Sequence, residues 1–299
     1  MEKTDFIWLN GKLVKWEDAK VHVLIHALHY GSAVFEGIRF YKTDKGPAVF
    51  RLKEHMARLL KSAKVFNMKI PFTQEQLEEA TLETIRKNKI DAGYIRPIAF
   101  FGYGKMGLNP EGAPVDVAIA VWPWGSYLGE EAVKVKISKY MRIHPKSLIS
   151  DAKVSGHYVN SILASLEAKE AGYQECLLLD YTGNIAEGPG ENFFLIKKGK
   201  LYTPQLGNIL PGITRDSIMK IAKDLGYDSE EKVISVKDAK SADECFYTGT
   251  AAEVTGIRQI DDVQIGDDNY PITKKLKTAF LDVVHGRNKK YESWLSYAK

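Results

Sequence analysis

The stretch that decides the fold is Ser150-Asp151-Ala152-Lys153-Val154-Ser155-Gly156-His157-Tyr158 together with Glu187-Gly188-Pro189-Gly190-Glu191-Asn192. Between these two segments the pattern predicts a helix over 159–171, an apolar strand over 175–180, a turn at 182–184 and a return strand. A lysine that attacks a carbonyl as the neutral amine needs a partly desolvated place near phenol or carboxylate groups. Lys153 has Tyr158 close by, and the return strand adds two glutamates, although most single lysines are solvated surface charges. The stretch therefore predicts amine chemistry.

Length and composition indicate a large globular protein. At 299 residues, with 44% hydrophobic and 27% charged residues, the chain can bury two cores. Proline, glycine and aromatic residues interrupt the strand pattern at 122–129, which favours a domain boundary there. We predict an α/β protein with a smaller domain over 1–122, a linker over 123–133 and a larger domain over 134–299.

Charge and targeting signals exclude several classes of partner. The net charge is +4, acidic and basic residues are interspersed, and no dense basic block indicates nucleic acid. The first residues have no apolar signal core, and no later run reaches membrane-spanning length. Cys176 and Cys245 stand apart in apolar segments, so we expect neither a disulfide framework nor a zinc site. A cytoplasmic enzyme is the resulting expectation.

Three histidines raise the question of a metal site. His22, His26 and His29 have the spacing of one helix face. No acidic or cysteine ligand accompanies them, and histidines among apolar residues are more often hydrogen-bonded core residues. We therefore expect no metal.

Local sequence patterns predict several helices, strands and turns. Asn10-Gly11 predicts a hairpin turn, 34–41 reads as one strand and 53–66 as an amphipathic helix. Thr73 and Gln76 form a capping-box pattern for a helix to about residue 88. Runs 94–103 and 115–122 are β-rich, and a closing helix is expected from Pro271 onward.

Two turns could bind anions. Pro211-Gly212-Ile213-Thr214 opens a helix, where exposed N–H groups and the positive end of the dipole favour phosphate. A second small-residue turn, 248–253, also exposes N–H groups after a strand. Helix starts are common, so neither turn identifies a ligand alone.

Blocks spread over nearly the whole chain resemble one enzyme family. They are Ala27-Leu28-His29-Tyr30-Gly31, Val34-Phe35-Glu36-Gly37-Ile38-Arg39, Glu54-His55-Met56-Ala57-Arg58-Leu59, Tyr94-Ile95-Arg96-Pro97, Lys153 to Tyr158, Glu187 to Asn192, Leu210-Pro211-Gly212-Ile213-Thr214-Arg215-Asp216, and Gly249-Thr250-Ala251-Ala252-Glu253. Their order resembles the class IV, fold-type IV pyridoxal-phosphate aminotransferases, and among these the branched-chain amino acid aminotransferases. The resemblance implies a small α/β domain, a larger β-barrel-like domain and a cofactor in the cleft between them.

The resemblance also implies the cofactor contacts. Lys153 would hold pyridoxal 5'-phosphate as a Schiff base, and Tyr158 would bond its phenolic oxygen. A carboxylate must keep the pyridine nitrogen protonated; sequence alone leaves Glu187 and Glu191 open, and the resemblance selects Glu187. Pro189 stands where the family usually has a small residue. The phosphate contacts implied are Arg58, Ile213, Thr214 and Thr250.

The substrate contacts are implied in the same way. Tyr94, Arg96, Thr250 and Ala251 would bind the substrate carboxylate. The side-chain pocket would be apolar and aromatic, formed by Phe35, Gly37, Trp124 and Tyr127, with Tyr30 and Leu108 from the partner subunit. Leu108 replaces a valine that the family often has. The resemblance thus implies at least a homodimer, acting on leucine, isoleucine and valine with 2-oxoglutarate.

Two alternatives remain open at this stage. A D-amino acid transaminase or an aminodeoxychorismate lyase of the same fold would share the lysine and the glutamate, whereas the blocks at 94–97 and 106–110 look like the branched-chain subfamily. The other alternative is a non-catalytic interaction protein without cofactor. Retention of the amine, phenol, carboxylate and both anion-binding turns argues against that class.

Overall fold

The computed structural model describes residues 2–125, 128–129, 131–267 and 269–299. Its α-helices are α1 (His26–Tyr30), α2 (Leu52–Ala63), α3 (Gln74–Asn88), α4 (Tyr158–Glu170), α5 (Ile213–Asp224), α6 (Val236–Lys240) and α7 (Pro271–Val284). Short 3-10 helices cover Trp16–Asp18, Lys64–Phe66, Ser155–His157 and Lys289–Trp294. No helix of the described ranges has the length and apolar character needed to span a membrane.

The strands form two separate sheets. They are β1 (Phe6–Leu9), β2 (Lys12–Lys15), β3 (Ala33–Phe35), β4 (Ile38–Thr43), β5 (Gly46–Phe50), β6 (Gly93–Phe101), β7 (Val115–Trp122), β8 (Val133–Met141), β9 (Glu175–Leu179), β10 (Ile185–Glu187), β11 (Asn192–Lys197), β12 (Lys200–Pro204), β13 (Ser229–Lys232), β14 (Glu244–Gly249), β15 (Glu253–Ile260), β16 (Val263–Gln264) and β17 (Leu295–Tyr297).

The chain divides into two compact units. The first contains Met1–Gly125, Ala152–Gly156 and Asp282–Lys299, and the second contains Ser126–Asp151 and His157–Leu281. The expected bounds 1–122, 123–133 and 134–299 stay a prediction about independent domains. The division by contacts adds two later segments to the first unit, and one of them carries Lys153.

The first unit is an antiparallel sheet with two helices on one face. Its strand order is β17-β5-β4-β6-β7-β1-β2, and β3 pairs with β6. The predicted hairpin, both β-rich runs and the two helices are confirmed, with the capping box of Thr73 and Gln76 complete in both directions. Apolar residues of α2 and α3 pack against the inward side chains of the sheet, which gives a continuous core.

Two expected elements of this unit differ. The single strand expected over 34–41 is broken between β3 and β4 at Glu36-Gly37, because the Glu36 side chain is fully buried in an ionic contact. The three histidines do not share one helix face, since α1 begins only at His26. His26 instead bonds Ser32 and the Gly107 carbonyl, and His29 bonds the Val23 carbonyl.

The second unit contains a closed barrel. Its sheet runs β10-β9-β8-β15-β14-β11-β12-β13, and a further pairing of β10 with β11 closes the ring. That closure rests on one residue pair, Glu187 opposite Asn192. Three strand pairs are parallel: β8–β9, β12–β13 and β8–β15. The crossovers of β8–β9 and β12–β13 contain α4 and α5. The barrel-like domain expected from the resemblance is confirmed.

The return strand also differs in detail. β10 ends at Glu187, and Glu191 lies in the turn before β11 rather than on the strand. The closing helix is confirmed as α7, but the chain then continues through a 3-10 turn into β17, which pairs with β5 of the first unit's sheet. That final strand was not predicted.

Candidate active site

Lys153 is anchored to the first unit by its own backbone. Its N–H donates to the Ser62 hydroxyl at 3.0 Å, and its carbonyl accepts from the Phe35 N–H at 3.1 Å. The flanking residues Ala152 and Val154 belong to the buried core, and Val154 bridges Val34. The side chain is half-buried, with Nζ 5.2 Å from the centroid of the Phe35 ring. The lysine therefore sits at a fixed place in a partly desolvated setting.

A guanidinium lies on the same aromatic ring. The Arg96 guanidinium carbon is 4.8 Å from the Phe35 centroid, and one of its Nη atoms lies 3.5 Å from the Tyr94 hydroxyl. Among the described residues no carboxylate pairs with Arg96, and its buried Nε has no acceptor. An uncompensated cation of this kind is suited to an anionic ligand.

Gly37 makes room for Tyr94. A Cβ at Gly37 would lie 2.0 Å from the Tyr94 hydroxyl oxygen, so a side chain here would displace that group. The Tyr94 ring also packs on Trp124, with centroids 4.3 Å apart. The expected pocket residues Phe35, Gly37, Tyr94, Arg96 and Trp124 are thus brought together, whereas Tyr127 lies outside the described residues.

Arg58 is held by a buried carboxylate. Its Nε and one Nη donate to the two oxygens of Glu36 at 2.6 and 2.8 Å, and His55 Nδ1 lies 2.7 Å from Glu36 Oε2. Burial would raise the pKa of Glu36, but the charge of Arg58 and hydrogen bonds from Arg58 and His55 outweigh it and hold that pKa far below the usual range. Burial lowers the pKa of His55, against the opposing effect of Glu36. The sequence predicts a role for Arg58 but does not indicate that Glu36 is its partner.

Glu187 lies at the closure of the barrel in a dense set of donors. Its Oε1 accepts from Arg142 Nε, its Oε2 accepts from Asn192 Nδ2 at 3.0 Å, and the Leu210 N–H lies 3.1 Å from Oε2. Both Glu187 and Arg142 are buried. Donors of this kind stabilise the carboxylate form. Arg142 belongs to no sequence motif, and Asn192 is only the last residue of the block at 187–192.

The second glutamate accepts a hydrogen bond within its own turn. Glu191 is also buried, and its Oε2 accepts from the Gly190 N–H of the same turn at 3.1 Å. Tyr158 is the first residue of α4 and is half-buried. The sequence had left the two glutamates equal, and the structure separates them by their partners.

The start of α5 presents unpaired backbone donors. Gly212 is its N-cap, with no side chain to cap the first turn. Among the described residues the N–H groups of Ile213 and Thr214 donate to no protein acceptor, and both residues are buried. Free N–H groups and the dipole at a helix start favour a phosphate.

The second expected anion turn also lies in the second unit. Thr250 and Ala251 are half-buried in the turn that joins β14 to β15. Nearby, Thr248 is fully buried, and its hydroxyl has no partner in the part of the chain that is described. A buried orphan hydroxyl beside an anion-binding turn suits a polar ligand.

The two residues expected from a partner subunit are exposed. Leu108 is 88% exposed at the tip of the loop between β6 and β7, and Tyr30 at the end of α1 is 42% exposed. The carbonyl of Gly107, next to Leu108, lies 2.7 Å from His26 Nε2. Among the described residues no group of three or more histidine, cysteine or acidic side chains is placed to hold a metal ion.

Fold and site together define a class IV aminotransferase. The sequence model of the amino-transferase class IV family matches residues 33–260, and this chain belongs to that family.

Similar proteins narrow the class. The branched-chain-amino-acid aminotransferase of Salmonella typhimurium is 46% identical over 301 residues, covering 98% of this chain and 97% of the relative. A solved branched-chain amino acid aminotransferase of T.th. with pyridoxamine 5'-phosphate has a TM-score of 0.97, 46% identity and full coverage of both chains. The same enzyme complexed with N-(5'-phosphopyridoxyl)-L-glutamate has a TM-score of 0.97 at 47% identity, again with full coverage of both chains.

Proposed function

We propose that this chain transfers the amino group of branched-chain L-amino acids to 2-oxoglutarate with pyridoxal 5'-phosphate as cofactor. One observation carries the proposal: the amine of Lys153 lies on the same Phe35 ring as the guanidinium of Arg96, which pairs with no carboxylate among the described residues. An α-amino acid carries its amine and its carboxylate two bonds apart. An enzyme that acts on it therefore needs a reactive amine and a cation for the carboxylate close to each other. The names of the similar proteins support the same substrates.

The residues present fit the cofactor. The buried carboxylate of Glu187 suits a protonated ring nitrogen, and the free N–H groups of Ile213 and Thr214 suit a phosphate. Arg58 and Thr250 would add phosphate contacts, and Tyr158 would bond the phenolic oxygen. Pyridoxal phosphate supplies an electron sink for the negative charge that develops at the substrate Cα.

Lys153 performs the proton transfer in this proposal. The Lys153 amine would hold the cofactor, and as a free amine it would take up the proton from the substrate Cα. The backbone bonds to Ser62 and Phe35 fix the main chain of Lys153, so its side chain moves about one anchored point. Such positioning lowers the entropic part of the reaction barrier.

The pocket favours branched aliphatic side chains. Phe35, Gly37 and Trp124 lie together in the first unit. Tyr127, with Tyr30 and Leu108 from the partner subunit, completes the expected pocket. An apolar pocket discriminates one methylene by about 1–3 kcal/mol, so leucine, isoleucine and valine are all accepted. Arg96 and Tyr94 bind the carboxylate together with the turn at Thr250 and Ala251.

A homodimer is part of the proposal. The residues Val159, Ile162, Leu163 and Leu166 form an apolar face of α4, each at least 42% exposed, while this helix buries only Ala164 and Ala168. A contiguous apolar face of this kind is typical of an interface. Exposed Tyr30 and Leu108 fit residues that reach the partner's pocket. Two buried free thiols, Cys176 and Cys245, fit a reducing cytoplasm.

Absorbance of the purified protein tests the function. A yellow protein whose band shifts with L-leucine and returns with 2-oxoglutarate supports both half-reactions. Lys153→Ala removes turnover, whereas Lys169→Ala, on the exposed side of α4, keeps it. A protein that stays colourless with added cofactor, or one that forms D-leucine from 4-methyl-2-oxopentanoate, contradicts the proposal.

A further inference from the structure

We infer that Asn192 is a positioning residue that joins the Glu187 carboxylate to the start of α5, so that the groups at both ends of the cofactor share one frame. The inference rests on the proposed function, in which Glu187 bonds the ring nitrogen of the cofactor and Ile213 and Thr214 bond its phosphate. Asn192 touches neither end itself. It acts through the residues that do.

The amide of Asn192 bonds to both sides. Its Nδ2 donates to Glu187 Oε2 at 3.0 Å and to the Leu210 carbonyl at 2.9 Å. The Leu210 N–H returns to Glu187 at 3.1 Å, which closes a ring of hydrogen bonds among three residues. Leu210 stands three positions before Ile213, the first residue of α5. A displacement of Glu187 is therefore passed to the helix start.

The residue type is dictated by these contacts. Both partners of Nδ2, a carboxylate and a carbonyl, can only accept, so the side chain must supply two donors. Aspartate would bring a third acceptor into the cluster, and leucine would leave the Leu210 carbonyl unsatisfied. Asn192 is buried and stands opposite Glu187 in the pair that closes the barrel, so its position is fixed by the backbone as well.

The other end of the amide is wedged against the helix cap. A Cβ at Gly212 would lie 1.8 Å from Asn192 Oδ1 and 3.0 Å from its Cγ. The next atom, Arg215 Cβ, is 3.3 Å away. Gly212 has φ −69° and ψ 132°, which an alanine adopts without strain. Glycine is therefore required here by the contact with Asn192, and the pair can be tested by adding one methyl group.

The first experiment compares the binding of two probes to the full-length apoenzyme, prepared by removing the cofactor. Pyridoxal 5'-phosphate and pyridoxal, which lacks the phosphate, are bound to the parent and to Asn192→Ala, with Kd measured by equilibrium dialysis. Loss of two buried hydrogen bonds weakens pyridoxal 5'-phosphate binding by about 10- to 100-fold. Because the helix start also loosens, we expect the preference for pyridoxal 5'-phosphate over pyridoxal to fall as well. An unchanged preference would mean that Asn192 acts on Glu187 only, and overturns the coupling.

The second experiment uses Gly212. Gly212→Ala displaces Asn192 and weakens pyridoxal 5'-phosphate binding by about tenfold or more, whereas the double variant Gly212→Ala/Asn192→Ala binds no worse than Asn192→Ala alone. If the losses of affinity caused by the two single substitutions add up in the double variant, the inference is wrong. Gly190→Ala is the matched control, since a Cβ there meets no atom within 4 Å. Should Asn192→Ala fail to fold, Gly212→Ala carries the test by itself, and unchanged binding refutes the contact.

The outcomes separate this inference from the proposed function. A parent protein that binds neither probe refutes both. A parent that binds the cofactor and turns over L-leucine, with variants that keep their affinity and probe preference, refutes only the role of Asn192. The thermal unfolding midpoint of each variant is recorded alongside, because a merely structural role would lower it without changing the preference between the probes.

Discussion

Glu36 shows how a single buried charge can be tolerated. Its carboxylate is fully buried, yet Arg58 and His55 occupy both oxygens. Such a pair adds little net stability relative to an apolar replacement, but removal of one partner leaves the other charge uncompensated. The pair also fixes the orientation of Arg58, a proposed phosphate contact.

Glu36→Gln should destabilise the first unit strongly. Arg58 would keep its buried charge without a counterion, which costs about 3–5 kcal/mol in the free energy of unfolding. Urea titration of the variant at neutral pH measures the change. Glu54→Gln is the control, because its pair with Arg51 is partly exposed and contributes at most about 1 kcal/mol. Equal losses for the two variants would contradict the burial argument.

Glu175 makes stability depend on pH. Burial, against weaker hydrogen bonds from the Cys176 N–H and the Ser165 hydroxyl, raises the pKa of Glu175 to about 7. The folded state thus prefers the protonated acid. The free energy of unfolding is highest below the ordinary pKa of 4.5 and falls as the pH rises from there to about 7.

Glu175→Gln should remove that dependence. The amide stays neutral, so the variant should gain up to about 3 kcal/mol over the parent at pH 8 and almost nothing at pH 4. Thermal or urea unfolding at both pH values measures the difference. Glu170→Gln, on the exposed end of α4, should behave like the parent at both. If the difference in the free energy of unfolding between variant and parent is the same at pH 4 and pH 8, Glu175 ionises normally.

At the residue scale, sequence identified the reactive types but not their partners. Lys153, Glu187 and Thr214 stand in recognisable blocks, so a resemblance can assign them. Arg142 stands in no block, and the block that contains Glu36 does not indicate its partner, because each residue meets its partner across a long stretch of chain. Pairings of this kind depend on the fold and cannot be read from spacing.

At the scale of elements, His26 ties the loop between β6 and β7 to α1. His26 Nε2 lies 2.7 Å from the Gly107 carbonyl, and its Nδ1 lies 2.7 Å from the Ser32 hydroxyl. A carbonyl only accepts, so Nε2 carries the proton, and in the neutral ring Ser32 donates to Nδ1. The loop that presents Leu108 is thereby tied to α1.

His26→Ala should loosen that loop. The buried hydrogen bond to Ser32 and the partly buried one to the Gly107 carbonyl are lost, which costs about 1–3 kcal/mol locally. Hydrogen–deuterium exchange over 103–112 should become faster, while exchange in β6 and β7 stays slow. His285→Ala, whose ring bonds only the Lys42 carbonyl among described hydrogen bonds, is the control. Unchanged exchange in the loop would mean that other contacts hold it.

Elements with strong periodicity were predicted well, and short ones were not. The helix α3 and the hairpin of β1 and β2 follow from capping and turn residues close in sequence. The break at Glu36-Gly37 has a long-range cause, since the glutamate turns inward to Arg58 and the glycine admits the Tyr94 hydroxyl. Local pattern could not reveal either contact.

At the scale of the whole molecule, the first unit is completed by the end of the chain. β17 pairs with β5, and the Trp294 carbonyl accepts from the Arg51 N–H at 2.6 Å. The Trp294 ring also covers the Arg51 guanidinium, whose carbon lies 4.9 Å from the ring centroid. The resemblance predicted two domains but not this return, because a three-residue strand carries almost no periodicity.

Removal of residues 288–299 should destabilise the first unit selectively. The edge of β5 would be exposed, and an unpaired edge promotes aggregation. Limited proteolysis should then cut within 2–125 first and leave 157–267 protected, with larger species on gel filtration. A truncated protein that stays unaggregated and resists cleavage within 2–125 would contradict this view of β17.

The discontinuous first unit also sets an order for folding during synthesis. Domains usually fold in the order in which they leave the ribosome. Here the sheet begun by β1 cannot gain its last strand until residues 295–297 have emerged, whereas the last strand of the barrel sheet is β16 and the second unit ends at Leu281. The half of the protein that is translated first is thus expected to mature last.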